Sequence, residues 1–166
     1  MDKKEIYGFL DRKNISYEVT EHKAVYNMAE LNEIDMPYPE ADAKNIFIRD
    51  DRHEAYYMIT VKGNKRVDLK AFRRTNGTRA LSFASESELK DILDLIPGSV
   101  TPLGLLNDQE KRVRLYLDKE FSDGDGIIGV HPNDNTATVW LKVNDLVEII
   151  REHGNEVYIT DLAGRI

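Results

Sequence analysis

The fold of this chain is decided by residues 45–61, which read NIFIRDDRHEAYYMITV. Two runs rich in β-branched and aromatic residues, 45–49 and 55–61, flank the polar segment 50–53. Such runs are typical of strands, and a short polar segment between them is typical of a hairpin loop. We therefore predict a β-hairpin over these residues.

Further strands and helices are predicted on both sides of this hairpin. Strands are expected at 16–20, 113–117, 127–130, 136–141 and 156–160, and helices near 6–10, from about 28 to 34, at 89–96, and from an N-cap at Asn144 to His153. Ser85 and Glu88 form a capping box before the third helix, and Pro97 with Gly98 ends it. The elements do not follow the strict βαβ order of a parallel sheet. The sequence thus predicts an α+β fold with a mixed, mainly antiparallel sheet and flanking helices.

Length and composition exclude several classes of protein. The chain has 166 residues, of which 41% are hydrophobic, so we expect a single domain over residues 1–166. The absence of cysteine excludes disulfides and thiolate ligands, and the four histidines lack metal-ligand spacing. No apolar run has the length of a signal-peptide core or of a membrane span. We expect a cytoplasmic protein with no metal, no cofactor and no membrane contact.

The charge is distributed unevenly along the chain. The net charge is −7, yet residues 62–79 contain seven basic side chains and one acidic side chain. A cationic face on an acidic body is suited to a brief contact with a phosphate backbone, whereas the alternative is an ordinary solvated helix with loops. The candidate RNA-binding residues in this stretch are Lys65, Arg66, Arg73 and Arg74.

Three segments could carry chemistry. Lys44 precedes the strand at 45–49, where it is either a surface lysine or a fixed cation at the edge of a sheet. Gly98 and Pro102 bracket a loop whose backbone N–H groups could face an oxygen, although the same pair also suits a plain helix-terminating turn. His131 precedes a dense polar run, which predicts a turn that presents the imidazole, while a lone histidine can also be structural.

The order and spacing of these three segments resemble those of the YbaK/ProX family of aminoacyl-tRNA deacylases, over roughly residues 15–165. The resemblance implies a YbaK/ProX-like fold in which Lys44 is the catalytic lysine, Gly98 opens the GxxxP loop, and His131 borders the site. It also implies a group of residues around the substrate: His22, Ser99, Val100, Thr101, Pro102, Asn135 and Thr136.

The run TPLGLLND at 101–108 is similar to the ProX branch of this family, whose members remove alanine mischarged onto proline tRNA. The resemblance therefore implies a trans-editing hydrolase with aminoacylated proline tRNA as substrate and prolyl-tRNA synthetase as a transient partner. Two alternatives stay open: a non-catalytic module of the same fold that binds tRNA or a synthetase, and a deacylase specific for cysteinyl or seryl esters. Patterns of serine hydrolases, zinc proteases, NTPases and dinucleotide-binding enzymes are absent from the sequence.

Overall fold

The computed structural model describes residues 1–24, 36–63 and 65–162, and the backbone of 164–165. In these ranges the helices are α1 (Lys3–Arg12), α2 (Leu69–Asn76), α3 (Glu86–Leu93) and α4 (Val143–His153). The strands are β1 (Tyr17–Glu21), β2 (Ala43–Asp50), β3 (Tyr56–Lys62), β4 (Arg66–Val67), β5 (Leu81–Phe83), β6 (Val113–Asp118), β7 (Ile127–Val130), β8 (Ala137–Lys142), β9 (Val157–Thr160) and β10 (Gly164–Arg165). Short 3-10 turns occupy Pro39–Ala41, Pro102–Asn107 and Lys119–Ser122.

The strands form three sheets, and the predicted hairpin lies inside the largest. That sheet has the order β5-β2-β3-β6-β9. Strand β2 is antiparallel to β3 and β5, whereas β3, β6 and β9 run parallel to one another. A second sheet, β1-β8-β7, is antiparallel throughout, and β10 pairs with β4. The α+β class and the mixed, mainly antiparallel pairing are thus confirmed.

The large sheet is apolar on both faces because its strands alternate between two cores. Phe47 and Met58 face the larger core, which also contains Leu93 of α3 and Val139 of β8. The next residue of β2, Ile48, faces a smaller core on the opposite side of the sheet. That core also contains Ile59 of β3, Tyr116 of β6 and Phe72 of α2. The strand β2 therefore separates two packed layers.

Most predicted elements are confirmed, with shifted boundaries. The capping box exists: the Ser85 hydroxyl accepts a hydrogen bond from the Glu88 N–H, and the Glu88 carboxylate accepts one from the Ser85 N–H. However, α3 spans Glu86–Leu93 and ends before Pro97, because Asp94 adopts the left-handed conformation with φ 53°. The prediction of Asn144 as an N-cap is wrong. Strand β8 passes directly into α4, so Lys142 holds the cap position.

Helix α2 was not among the predicted elements, although a solvated helix was the alternative for residues 62–79 and the ends of α2 carry ordinary signals. The Asp68 carboxylate accepts a hydrogen bond from the Ala71 N–H, and Gly77 ends the helix with φ 63°. The helix predicted from about 28 to 34 lies outside the described residues. None of the helices in the described ranges has both the length and the hydropathy that crossing a membrane requires.

Candidate active site

The two larger sheets meet where Asp42 forms an isolated parallel bridge with Gly129. Both residues are in extended backbone, so side chains two positions further along each segment leave on the same side. Those side chains are Lys44 on β2 and His131 after β7. The predicted catalytic lysine and the predicted site histidine thus each lie two residues beyond the point where the two sheets touch.

Lys44 is half-buried and loosely held. Its ammonium donates one hydrogen bond, of 3.3 Å, to the carbonyl oxygen of Lys65. No carboxylate among the described residues lies within ion-pair distance of it. Because an ammonium has three donors, this arrangement leaves donors for a ligand.

The loop 98–102 is stabilised by the conformation of Gly98 and by hydrogen bonds between Ser99 and the backbone just before the loop. Gly98 has φ 92°, a conformation that L side chains rarely adopt. The hydroxyl of buried Ser99 donates to the Ile96 carbonyl at 2.9 Å and accepts a hydrogen bond from the Ile96 N–H at 3.3 Å. Ser99 therefore shapes the loop and does not present its hydroxyl to the outside.

Two further hydrogen bonds fix this loop to the neighbouring elements. The amide of Asn45 donates to the Val100 carbonyl at 3.4 Å, and the Asn45 oxygen accepts a 2.6 Å hydrogen bond from buried Thr60. The hydroxyl of buried Thr101 donates to the His131 carbonyl at 2.6 Å. Pro102 is buried at the start of a 3-10 turn. The structure thus brings the loop, the start of β2 and His131 together.

His131 has a defined tautomer. Its Nδ1 atom lies 2.9 Å from the Ala137 carbonyl oxygen, so Nδ1 carries the proton and Nε2 presents a lone pair. Burial is the main cause that lowers the pKa of His131, and the nearby His22 ring acts in the same direction. The imidazole is therefore neutral near pH 7 and has one free acceptor.

His22 packs against His131, with ring centroids 6.2 Å apart in an edge-to-face arrangement. Its Nε2 atom lies 3.0 Å from the Thr138 hydroxyl, and its Nδ1 atom lies 2.8 Å from the Lys23 carbonyl oxygen. Both ring nitrogens of His22 thus have protein partners. His22 is therefore held in place and supports the position of the His131 ring by packing against it.

The polar turn after His131 is stabilised internally. The Thr136 hydroxyl donates to Asp134 at 2.5 Å and accepts a 3.0 Å hydrogen bond from the Lys3 ammonium. Asn135 is buried in the same turn, with 7% of its surface exposed. Both residues lie in the turn between His131 and β8, where Thr136 acts as a turn-forming residue.

A pocket of about 250 Å³ opens between β2, β5 and the loop. Its lining includes Asn45, Phe47, Phe83, Gly98 and Val100. Phe83 is 64% exposed. Sequence reasoning missed Asn45, Thr60 and Phe83, although an amide inside an otherwise apolar strand and directly after Lys44 was a usable signal.

The basic residues of 62–79 differ in how they are paired. Lys65 forms ion pairs with buried Asp118 at 2.7 Å and with Glu120 at 3.0 Å. Arg66, Arg73 and Arg74 are exposed, and within the described ranges none of them forms an ion pair. The three arginines are thus available to an external anion, while the charge of Lys65 is balanced internally. No group of three His, Asp or Glu residues that could hold a metal ion occurs in the described part of the chain.

Several known proteins are similar to this chain. Residues 22–149 match the family described as the aminoacyl-tRNA editing domain. The prolyl-tRNA editing protein ProX of Acetoanaerobium sticklandii is 38% identical over 156 residues, which cover 93% of this chain and 94% of that protein. The prolyl-tRNA synthetase associated domain-containing protein 1 of Danio rerio is 31% identical, with 90% of this chain and 82% of that protein covered.

A similar fold is found in a solved structure provisionally described as a trans-editing enzyme for prolyl tRNA synthetase. The TM-score is 0.68 at 18% identity, and 95% of this chain and 94% of that chain are covered. This likeness concerns the fold alone. The match over residues 22–149 and the 38% identity with a relative of nearly equal length show that the chain belongs to the aminoacyl-tRNA editing domain family.

Proposed function

We propose that this protein is a trans-editing hydrolase that cleaves alanine from mischarged proline tRNA in the cytoplasm. The observation that carries the proposal is the pair of hydrogen bonds that ties the loop 98–102 to Asn45, the residue after Lys44, and to the His131 carbonyl. The name of the 38% identical relative, prolyl-tRNA editing protein ProX, supports the choice of tRNA.

The reaction is the hydrolysis of an ester. A water oxygen attacks the carbonyl carbon of the aminoacyl group and loses a proton, the bond from that carbon to the terminal ribose oxygen breaks, and the proton lost by the water ends on the ribose oxygen. An aminoacyl ester is already reactive, so positioning a water molecule and stabilising the oxyanion suffice for catalysis. No protein nucleophile is required.

The site residues have distinct roles in this proposal. Lys44 offers a fixed positive charge to the carbonyl oxygen or to the terminal phosphate. Gly98 lets the loop backbone approach the substrate closely. Hydrogen bonds to the Val100 carbonyl and from the Thr101 hydroxyl hold the loop so that its backbone N–H groups can face the substrate. The free Nε2 atom of neutral His131 accepts a hydrogen bond from the attacking water.

The selectivity of such an enzyme follows from size. A synthetase pocket made for proline cannot strongly reject the smaller alanine, because a few methylene groups contribute only about 1–3 kcal/mol each. A compact editing pocket that admits alanine and excludes proline acts as a second sieve. A transient complex with prolyl-tRNA synthetase would deliver the substrate, and the name of the Danio rerio relative supports that partner.

The test is a deacylation assay with proline tRNA charged in turn with alanine, proline, cysteine and serine. We expect rapid release of alanine and retention of proline. Preferential release of cysteine or serine would assign the enzyme another specificity. Binding of the charged tRNA without release of any amino acid would identify a non-catalytic binding module.

A further inference from the structure

Asp42 is a buried acid with one unsatisfied carboxylate oxygen. Its exposed fraction is 8%, and among the residues that the structure describes no hydrogen-bond donor reaches its Oδ2 atom. Buried carboxyl groups are normally hydrogen-bonded or ion-paired, because an unpaired one costs free energy of folding. An acid kept in this state is a candidate for binding a ligand.

The position of Asp42 points to the substrate as that ligand. Asp42 forms the bridge to Gly129, so its backbone lies at the junction of the two sheets, two residues before Lys44. The ring of Trp140 covers the bridge, since a Cβ atom on Gly129 would lie 2.2 Å from Trp140 Cζ3. Asp42 thus belongs to the same junction as the segments that carry Lys44 and His131.

The surroundings of Asp42 leave it without a counter-charge. The charged and titratable residues near Asp42 in the paired segments include Glu40 on the preceding turn, Lys44 on β2, Lys62 and Lys65 at and after the end of β3, and His131 after β7, and within the described ranges none of them forms an ion pair with Asp42. The ammonium of Lys44 donates to the Lys65 carbonyl instead. Burial raises the pKa of Asp42 to about 7. A cation brought by a ligand would therefore convert this group to its ionised form near neutral pH.

We propose that the Asp42 carboxylate binds the α-ammonium group of the aminoacyl ester. This inference rests on the proposed function, because every aminoacyl ester carries an amine on the carbon next to the scissile carbonyl. With Lys44 near that carbonyl or the adjacent phosphate, the site would otherwise hold two neighbouring cations and repel its own substrate. The Asp42 carboxylate would offset the repulsion between the Lys44 ammonium and the α-ammonium group. It would also orient the acyl group by binding its amine.

The test compares two esters of proline tRNA, the alanyl ester and the lactyl ester, in which a hydroxyl replaces the amine. After division by the ratio of the two uncatalysed hydrolysis rates, wild-type protein should prefer the alanyl ester by about 10- to 100-fold in kcat/KM, as expected for a charge-assisted hydrogen bond. In Asp42→Asn the preference should fall to within about threefold, because an amide does not distinguish an ammonium from a hydroxyl by charge. The loss should appear mainly in KM.

The matched control is Asp50→Asn at the other end of β2. Asp50 is also buried, but its Oδ1 atom accepts hydrogen bonds from the Arg52 and Glu54 N–H groups. This variant should keep the alanyl preference. A second readout is pH: in wild-type protein KM for the alanyl ester should rise as the pH falls below about 7, where Asp42 becomes protonated, and Asp42→Asn should lack this rise.

The outcomes separate the two proposals. A wild-type protein inactive on the alanyl ester overturns the proposed function and this assignment with it. An active wild-type protein that hydrolyses both esters equally overturns the assignment alone, whether or not the variant folds. An alanyl preference that persists in a folded Asp42→Asn protein also overturns it.

Discussion

The loop 98–102 and the start of β2 are neighbours, but side-chain hydrogen bonds hold the loop more firmly than they hold the side chains of Asp42 and Lys44. Ser99 closes the loop on Ile96, Asn45 ties it to β2, and Thr101 ties it to His131. Lys44 makes one 3.3 Å hydrogen bond, and Asp42 Oδ2 makes none. We call the loop with His131 the anchored half, and Asp42 with Lys44 the open half.

The difference indicates how the work of catalysis is divided. Groups that stabilise a developing charge act best when they are oriented in advance, and the anchored half has this property. Charged groups without protein partners are costly in the free enzyme and gain their partners when a ligand binds. The open half therefore contributes to binding and charge balance at the expense of stability, and the two halves should respond differently to mutation.

The largest effect on activity is expected from Lys44→Ala in the open half. Removing the cation proposed to face the ester should lower kcat/KM by about 10²- to 10³-fold, as the loss of one charge-stabilising donor does. The thermal midpoint of unfolding should hardly change, because only one long hydrogen bond disappears. Deacylation of alanyl proline tRNA and a thermal melt of the same preparation measure both quantities.

Lys62→Ala is the matched control. Lys62 is the last residue of β3 and pairs with Ala43, the residue before Lys44, so the control removes a lysine at the same end of the sheet. That variant should keep nearly full activity. If Lys44→Ala and Lys62→Ala were equally active, Lys44 would have no catalytic role. If Lys44→Ala melted at a much lower temperature, the open half would be structural.

A smaller loss of activity, accompanied by a loss of stability, is expected from Gly98→Ala in the anchored half. A Cβ atom at φ 92° costs about 1–3 kcal/mol of backbone strain. Because the loop is fixed on both sides, the strain should displace its N–H groups and lower kcat by about tenfold or more. Denaturant unfolding and steady-state kinetics provide the measurements.

Gly77→Ala separates strain from function. Gly77 has φ 63° at the end of α2, and a Cβ atom there would contact nothing within 4 Å. This control should lose comparable stability while kcat stays unchanged. If folded Gly98→Ala and folded Gly77→Ala had equal specific activity, the loop 98–102 would be a plain helix-terminating turn without a catalytic role.

The sequence was sufficient for the fold class and for most elements because hydrophobic alternation and capping signals are local. The capping box of Ser85 and Glu88 and the hairpin around 50–55 are examples. Helix α2 was missed because its single buried side chain, Phe72, gives a weak apolar pattern among basic residues. The start of α4 was misplaced because a strand leads directly into it.

The site was only partly predictable for a different reason. Lys44, Gly98 and His131 were singled out through a family resemblance, and the bonds that connect them depend on contacts between distant residues. Asn45 and Thr60 are fifteen residues apart, and Thr101 and His131 are thirty apart. The isolation of Asp42 could not be predicted at all, since the lack of a partner is a property of the packed structure.

The smallest effect is expected outside both halves, on the cationic face formed by Arg66, Arg73 and Arg74. Changing all three to glutamine should raise KM for the charged tRNA about tenfold or less and leave kcat unchanged, since these residues would contact only phosphates. The slope of log(kcat/KM) against log[salt] should fall by about one for each lost contact. Lys65 is left intact because it neutralises Asp118 and Glu120.

A charge-matched control is Lys4, Arg12 and Lys13 changed to glutamine on and next to α1. This change removes the same three charges, but these residues lie among Asp2, Glu5 and Asp11, so the local field there is weak. If both triple variants reduced the salt slope equally, the effect would come from net charge and not from a docking face. If neither variant changed KM or the slope, the arginines would be an ordinary solvated surface, and tRNA would approach the two halves of the site from another side. If KM and the salt slope changed only in the arginine variant, the acceptor stem would bind over α2 and β4. Strand β4 begins directly after Lys65, whose carbonyl accepts the hydrogen bond from Lys44.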